Sequence, residues 1–215
     1  MAGLGAVAPP MLAELQPVDP EGADVLELEQ ALVERTGDRP LHPGRLTITD
    51  SELRGVTIEM RNGRGFRLGD VLLRGCDLAN IDASDGSILR VEIHDSRLTG
   101  FAFGDGRADE LAVRDSNLTL ASFARTRVRS AVFERVDLSE ASFMDARLEW
   151  VLFSDCALRG ADFRGATLKD CAIRGSSLDG VLGIDSLAGV AMPWTDLVAS
   201  AAALATALGI VIEPD

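Results

Sequence analysis

The chain has 215 residues, a formal net charge of −13, two histidines and no tyrosine. That length bounds it to one domain with appendages, and no apolar run is long enough to span a membrane. The acidity opposes direct nucleic-acid binding and favours basic partners. Neither histidine has a Cys or Ser partner at a catalytic spacing, so no enzyme, cofactor, metal or small-molecule substrate is expected.

The opening MAGLGAVAPP lacks a basic n-region and a long apolar stretch, so a secretory leader is not expected. Residues 1–25 hold four of the eight prolines, Pro9, Pro10, Pro17 and Pro20. They read as an extended arm, with MLAEL (11–15) able to dock on the body. Residues 26–35 (LELEQ ALVER) fit two units of the five-residue pattern that follows. Leu28 falls 20 residues before Ile48, and Val33 falls 20 before Leu53. TGDRPLHPGR (36–45) is two units long but carries Pro and Gly. Residues 26–45 are therefore either an irregular first turn or a cap. The cap would be a short helix over 24–35, from the spacing of Val25, Leu28 and Leu32.

Residues 46–180 keep an uninterrupted period of five. Of the 27 positions from Ile48 to Leu178 in one phase, 24 are Val, Ile, Leu or Phe. One residue later, the same span holds only Leu89 and Met144 as large apolar residues. Neither a helix, with a period near 3.6, nor a flat strand, with a period of two, gives this pattern. A fixed repeat means a solenoid. Residues 131–170 show the unit plainly: AVFER VDLSE ASFMD ARLEW VLFSD CALRG ADFRG ATLKD.

The units ADFRG (161–165), VDLSE (136–140) and CDLAN (76–80) resemble the pentapeptide repeat family, whose unit is written A(D/N)LXX. The resemblance covers about two-thirds of the chain. It implies a right-handed quadrilateral β-helix of about seven turns, four units to each turn. Residues 20 apart then stack. Leu78, Leu98, Leu118, Leu138, Leu158 and Leu178 form one ladder; Phe103, Phe123, Phe143 and Phe163 form another. Gly183 would be the next rung of the Phe ladder and cannot fill it, so the repeat is expected to stop near 180. Fifth positions carry Gly (Gly75, Gly100, Gly160) or Asp (Asp95, Asp105, Asp115), which suits a corner turn.

Residues 181–215 break the period. PWTDLVASAAALATALGI (193–210) reads as a helix started by Pro193 or Thr195 and stopped at Gly209. IVIE (210–213) reads as a last strand. The helix is a C-terminal cap on its own coil or a dimer surface of Trp194, Leu197, Val198, Ala201, Leu204 and Leu208. Many members of the resembled family dimerise through such a module, which implies a homodimer.

Cys76, Cys156 and Cys171 all sit in the first, small and buried position of a unit. Cys76 and Cys156 are four turns apart, roughly 19 Å, while Cys156 and Cys171 lie on different faces. No disulfide is possible at the ~5.5–6 Å Cα separation it requires, and a reducing cytoplasm is the expected setting.

Members of the resembled family linked to fluoroquinolone resistance act as DNA mimics that bind DNA gyrase or topoisomerase IV. The resemblance implies that role here, with an acidic surface of Asp185, Asp196, Glu213 and Asp215 near the C-terminal end. The alternative is an interaction scaffold with no topoisomerase role. The charge distribution bears on the choice, because residues 46–180 hold 22 acids against 18 bases. Arg67, Arg107, Arg127 and Arg147 line one face, as partners in salt-bridge ladders or as an anion-binding strip. Ala112, Val132, Leu152 and Ala172 occupy second, outward positions on four successive turns. Such an exposed apolar strip needs a cover, either the chain's own arm or C-terminal helix, or a protein partner.

Overall fold

The computed structural model describes residues 7–20, 25–34, 39–60, 65–207 and 209–211. Eleven strands form one parallel stack. They are β1 (Gln16–Pro17), β2 (Val25–Glu29), β3 (Ala31–Glu34), β4 (Arg45–Arg54), β5 (Arg67–Arg74), β6 (Ser87–His94), β7 (Arg107–Arg114), β8 (Arg127–Glu134), β9 (Arg147–Ser154), β10 (Thr167–Lys169) and β11 (Ala172–Arg174). The register from β2 onward is 20 residues: Leu28 pairs with Ile48, Ile48 with Leu68, and Phe133 with Phe153. The result is a β-solenoid of about seven turns.

The five-residue period follows from backbone conformation. Every fifth residue from Gly65 to Gly180 has a left-handed φ, between 49° and 88°. A left-handed residue at each fifth position turns the chain through a corner. The corners after the Leu and Phe ladders are β-turns. At one of them the N–H of Phe101 donates to Leu98 O at 3.0 Å across Gly100, whose φ is 67°, as a type II turn requires. Gly, Asp and Asn tolerate this region; Leu120 (φ 61°) and Trp150 (φ 55°) occupy it against their preference. Two of the four sides carry continuous strands, and the other two touch their neighbours through single bridges such as Asp77 to Arg97 and Ala102 to Ser122.

Inside, the ladders fill the coil. Phe123, Phe143 and Phe163 stack with ring centroids 5.2 and 4.9 Å apart, and Phe133 and Phe153 stack at 5.2 Å beside them. Edge-to-face contacts join the two stacks, the geometry aromatic quadrupoles favour. Ser96, Ser116 and Ser176 are buried at one corner. Each accepts a bond from the backbone N–H one turn below and donates back to its own strand, so these buried hydroxyls are satisfied.

The first turn is strand, not helix. β2 and β3 pair with β4, which removes the capping helix over 24–35. Alternating burial in VLELE, with Leu26 and Leu28 inside, gave that stretch a period of two that the helical reading overlooked. The arm then closes the base: β1 pairs with Ala31 and Leu32 of β3, and Pro20 is buried.

The coil ends at Leu182, which bridges to Asp162. Gly183 (φ 71°) presses on the backbone of Arg164 and leads into a 3-10 turn, Ile184–Leu187. Ala191 adds one further rung beside Ala172, accepting from Ile173 N–H and donating to Cys171 O. The predicted single helix is two short ones, α1 (Trp194–Ala199) and α2 (Ala201–Ala207), which meet at the buried Ser200. Gly209 stops α2 as expected. The N–H of Ile210 donates to Ala205 O, and that of Gly209 to Thr206 O, the Schellman pattern. Ile210 and Val211 are exposed and not in a strand, so the first half of the predicted IVIE strand is absent. With the edge of the coil already taken by Ala191, they have no neighbouring strand to join.

Candidate protein-binding surfaces

The apolar strip is not exposed. Ala112 and Ala172 are fully buried, and Val132 and Leu152 nearly so. Val132, Leu152 and Ala172 form a cluster outside the main core, covered by Val7 and Ala191. The physical reason is the arm. Gln16 lies beside Ala31 at the base, the N–H of Met11 donates to Asp70 Oδ1 at 3.1 Å, and Val7 reaches the strip several turns higher. Nine residues separate Val7 from Gln16, and an extended chain of that length spans ~30 Å. That is enough to climb from the Ala31 rung to the Leu152 rung at ~4.8 Å per turn. Val7, Pro10, Leu12 and Leu15 are the half-buried residues of the arm, and the others between them face solvent.

The candidate dimer residues divide. Leu204 is half-buried and packs, with Ala203, on the core. Trp194, Leu197, Val198 and Ala201 face outward, Trp194 at 76% exposure. Leu208 lies outside the described side chains. The candidate acidic residues divide as well. Asp196 Oδ2 accepts from the backbone N–H of Gly175 at 2.7 Å, so it ties α1 to the coil and is only half-exposed. Asp185 is exposed on the surface. Glu213 and Asp215 lie outside the described residues.

Several charged side chains are paired across one turn of the coil. Arg90 forks onto Asp70 through Nε and Nη2, each at 2.6 Å. Arg97 pairs with Asp77, Arg125 with Asp105, and Arg135 with Asp115, each partner one turn away. The guanidiniums of Arg90, Arg125 and Arg135 hold the carboxyls of Asp70, Asp105 and Asp115 below the usual carboxylate range. His94 Nε2 lies 2.9 Å from Glu92 Oε2, with Arg114 also on that carboxylate.

One face differs. Arg107, Arg127 and Arg147 are in register on three adjacent strands. They border a shallow groove of about 570 Å³. Arg107 is held by Asp109 at 2.6 Å, and Lys169 by Glu149 at 2.8 Å. Arg129 lies over the Trp150 ring, 4.9 Å from its centroid. Among the described residues, Arg127 and Arg147 make no ion pair. Arg67 begins the same row two turns below Arg107.

The three cysteines are free and buried. Burial pushes each thiol up, that of Cys156 to about 11, which leaves little thiolate at neutral pH. Among the described residues, no group of three or more His, Cys, Asp or Glu could hold a metal ion, and no helix is long and apolar enough to cross a membrane.

Residues 114–182 match the family model of a pentapeptide repeat region. Comparison with curated proteins found no match. Among solved structures, full-length QnrB1, a plasmid-mediated fluoroquinolone resistance protein, is 20% identical over 91% of this chain and 95% of its own, with a TM-score of 0.40. HetL, a pentapeptide repeat protein involved in heterocyst differentiation regulation in the cyanobacterium Nostoc sp. strain PCC 7120, is 17% identical over 78% of this chain and 83% of its own, with a TM-score of 0.36. Rfr23, from the cyanobacterium Cyanothece 51142, is 16% identical over 53% of this chain and 61% of its own, with a TM-score of 0.25.

Proposed function

From the match of residues 114–182 to a pentapeptide repeat region we propose that this chain is a non-catalytic protein-binding scaffold. The observation that carries the reading is the sorting of its outer faces. Many charged side chains are paired across one turn, and the apolar strip is closed by the chain itself. Among the described residues, a basic groove and the outer side of α1 stay uncovered. A coil assembled for packing alone has no need to leave those two surfaces unpartnered.

The most specific form of this reading is a DNA mimic that binds DNA gyrase or topoisomerase IV and alters fluoroquinolone sensitivity. Such mimicry needs rows of free carboxylate. Here Asp70, Asp77, Asp105, Asp115 and Asp162 are each held by an arginine and Asp196 by the coil; Asp95, Asp145, Asp155 and Asp170 make no ion pair among the described residues, but residues 46–180 as a whole set 18 bases against 22 acids. The scaffold without a topoisomerase role is therefore the better supported form. Titrating the protein into a gyrase supercoiling reaction, with and without a fluoroquinolone, separates the two. The scaffold form predicts no inhibition and no protection at a large excess; either effect would establish the topoisomerase form.

Self-association belongs to the same reading. Trp194, Leu197 and Val198 form an outward apolar side at one end of the coil, which fits a homodimer joined end to end in the reducing cytoplasm that free cysteines suit. The check is mass in solution: a dimer that Trp194→Glu converts to monomer supports it, and a wild-type monomer removes it.

A further inference from the structure

We propose that the groove bordered by Arg107, Arg127 and Arg147 is a docking site for an acidic α-helix of a protein partner. This rests on the protein-binding reading above and names the chemistry of the partner.

Like charges directly opposite one another on neighbouring strands destabilise a sheet. Along the adjacent column the sign alternates through Asp109, Arg129, Glu149 and Lys169, and where arginines do face each other elsewhere, as Arg54 and Arg74 do, Glu52 pairs with both. The Arg107–Arg127–Arg147 column does not alternate. The two carboxylates in the groove are already engaged, Asp109 by Arg107 and Glu149 by Lys169. Arg127, Arg129 and Arg147 keep their positive charge without an ion pair among the described residues. A chain of net charge −13 thus presents a concave basic patch on a single face, and an anion placed there relieves the repulsion that the fold leaves in place.

The spacing selects the occupant. Three adjacent strands span two interstrand gaps, ~9.6 Å. Carboxylates at positions i, i+3 and i+7 of an α-helix span seven residues, ~10.5 Å, which long arginine side chains absorb. An extended strand repeats on one side every ~6.6 Å, or ~13 Å across three such residues, and falls out of step. Planar guanidiniums bind carboxylates in a two-pronged fork. Trp150, part-exposed beside the column and flanked by Arg129 and by Lys169 at 5.8 Å, adds a flat apolar rim. Nucleic acid would bring phosphate to the same arginines, but the negative charge over the rest of the molecule repels an extended polyanion.

The test is fluorescence anisotropy with the full chain and a labelled, helix-stabilised alanine-based peptide carrying Glu at i, i+3 and i+7. A peptide with Gln at those positions, inorganic phosphate and a DNA duplex serve as competitors. The expected result is binding that weakens with salt, at least tenfold weaker for Arg127→Gln/Arg147→Gln and at least tenfold weaker for the Gln peptide. Both arginines are solvent-exposed, so the variant's melting temperature, unchanged or raised, shows that it remains folded. No binding, equal binding by the variant, or tighter arginine-dependent binding of the duplex overturns the proposal. Capture of a protein partner by the Arg127→Gln/Arg147→Gln variant as well as by the parent would overturn the groove alone and keep the scaffold reading.

Discussion

The backbone N–H of Met11 donates to Asp70 Oδ1 across 59 residues of sequence, and the same carboxylate receives both prongs of Arg90. One side chain thereby joins the arm to two turns of the coil. Asp70 is nearly buried, at 12% side-chain exposure, so its bonds have little competition from water. Charge-assisted bonds of this kind contribute about 1.5–3 kcal/mol.

Asp70→Asn keeps the shape and the tolerance for a left-handed φ but removes the charge. Its expected effect is a loss of about 1–2 kcal/mol in denaturant unfolding, with faster hydrogen exchange at Met11. The pH dependence follows. Because Arg90 lowers the folded-state pKa of Asp70 below its unfolded value, the contribution is complete above about pH 4. It is lost as pH falls through the lowered value. Wild type should therefore lose stability in acid with a steeper slope than Asp70→Asn; parallel slopes would remove Asp70 from the account.

Deleting residues 1–12 leaves β1 in place and uncovers Val132 and Leu152. The truncated chain should bind a hydrophobic dye that the full chain ignores and should melt at a lower temperature. An unchanged dye signal would mean that the arm is not what covers the strip.

Phe143 is fully buried between Phe123 and Phe163, while its neighbour Met144 is 37% exposed. Phe143→Ala is expected to cost about 3–5 kcal/mol, and Met144→Ala less than about 0.5 kcal/mol. Urea unfolding of the pair reads the phase of the repeat directly, and equal losses would contradict it.

Gly75 and Gly183 both have a left-handed φ, but their surroundings differ. A methyl group on Gly75 meets nothing within 4 Å, whereas one on Gly183 approaches the backbone Cα of Arg164 to 2.6 Å. Gly75→Ala should cost about 1–2 kcal/mol from conformation alone. Gly183→Ala should cost more, because the clashing atoms belong to backbone and cannot swing away.

The coil was legible in the sequence because each unit carries its own signal: an apolar third residue, a small first residue, and a Gly or Asp able to take a left-handed corner. The partner rungs, Leu28 below Ile48 and Phe133 below Phe153, followed from counting 20. The outward strip was legible too, and the arm was one of the covers the sequence offered for it, but the residue that reaches it was not legible. Val7 packs against Val132 and Leu152 through long-range contact that no period announces. Asp196 looked like surface charge because nothing local shows that Gly175 offers it an N–H one turn away. The break between α1 and α2 falls within an Ala-rich run with no Gly or Pro to mark it. The arginine row was visible as a count, but its lack of partners required knowing which carboxylates Arg107 and Lys169 had already taken.

The central claim is that this coil works by holding another protein on its outer faces. Quantitative crosslinking and affinity capture of the full chain, in cells that express it, is the most direct test. The account predicts one other protein recovered in stoichiometric amount with the folded chain. Recovery of nothing but the chain itself would contradict it.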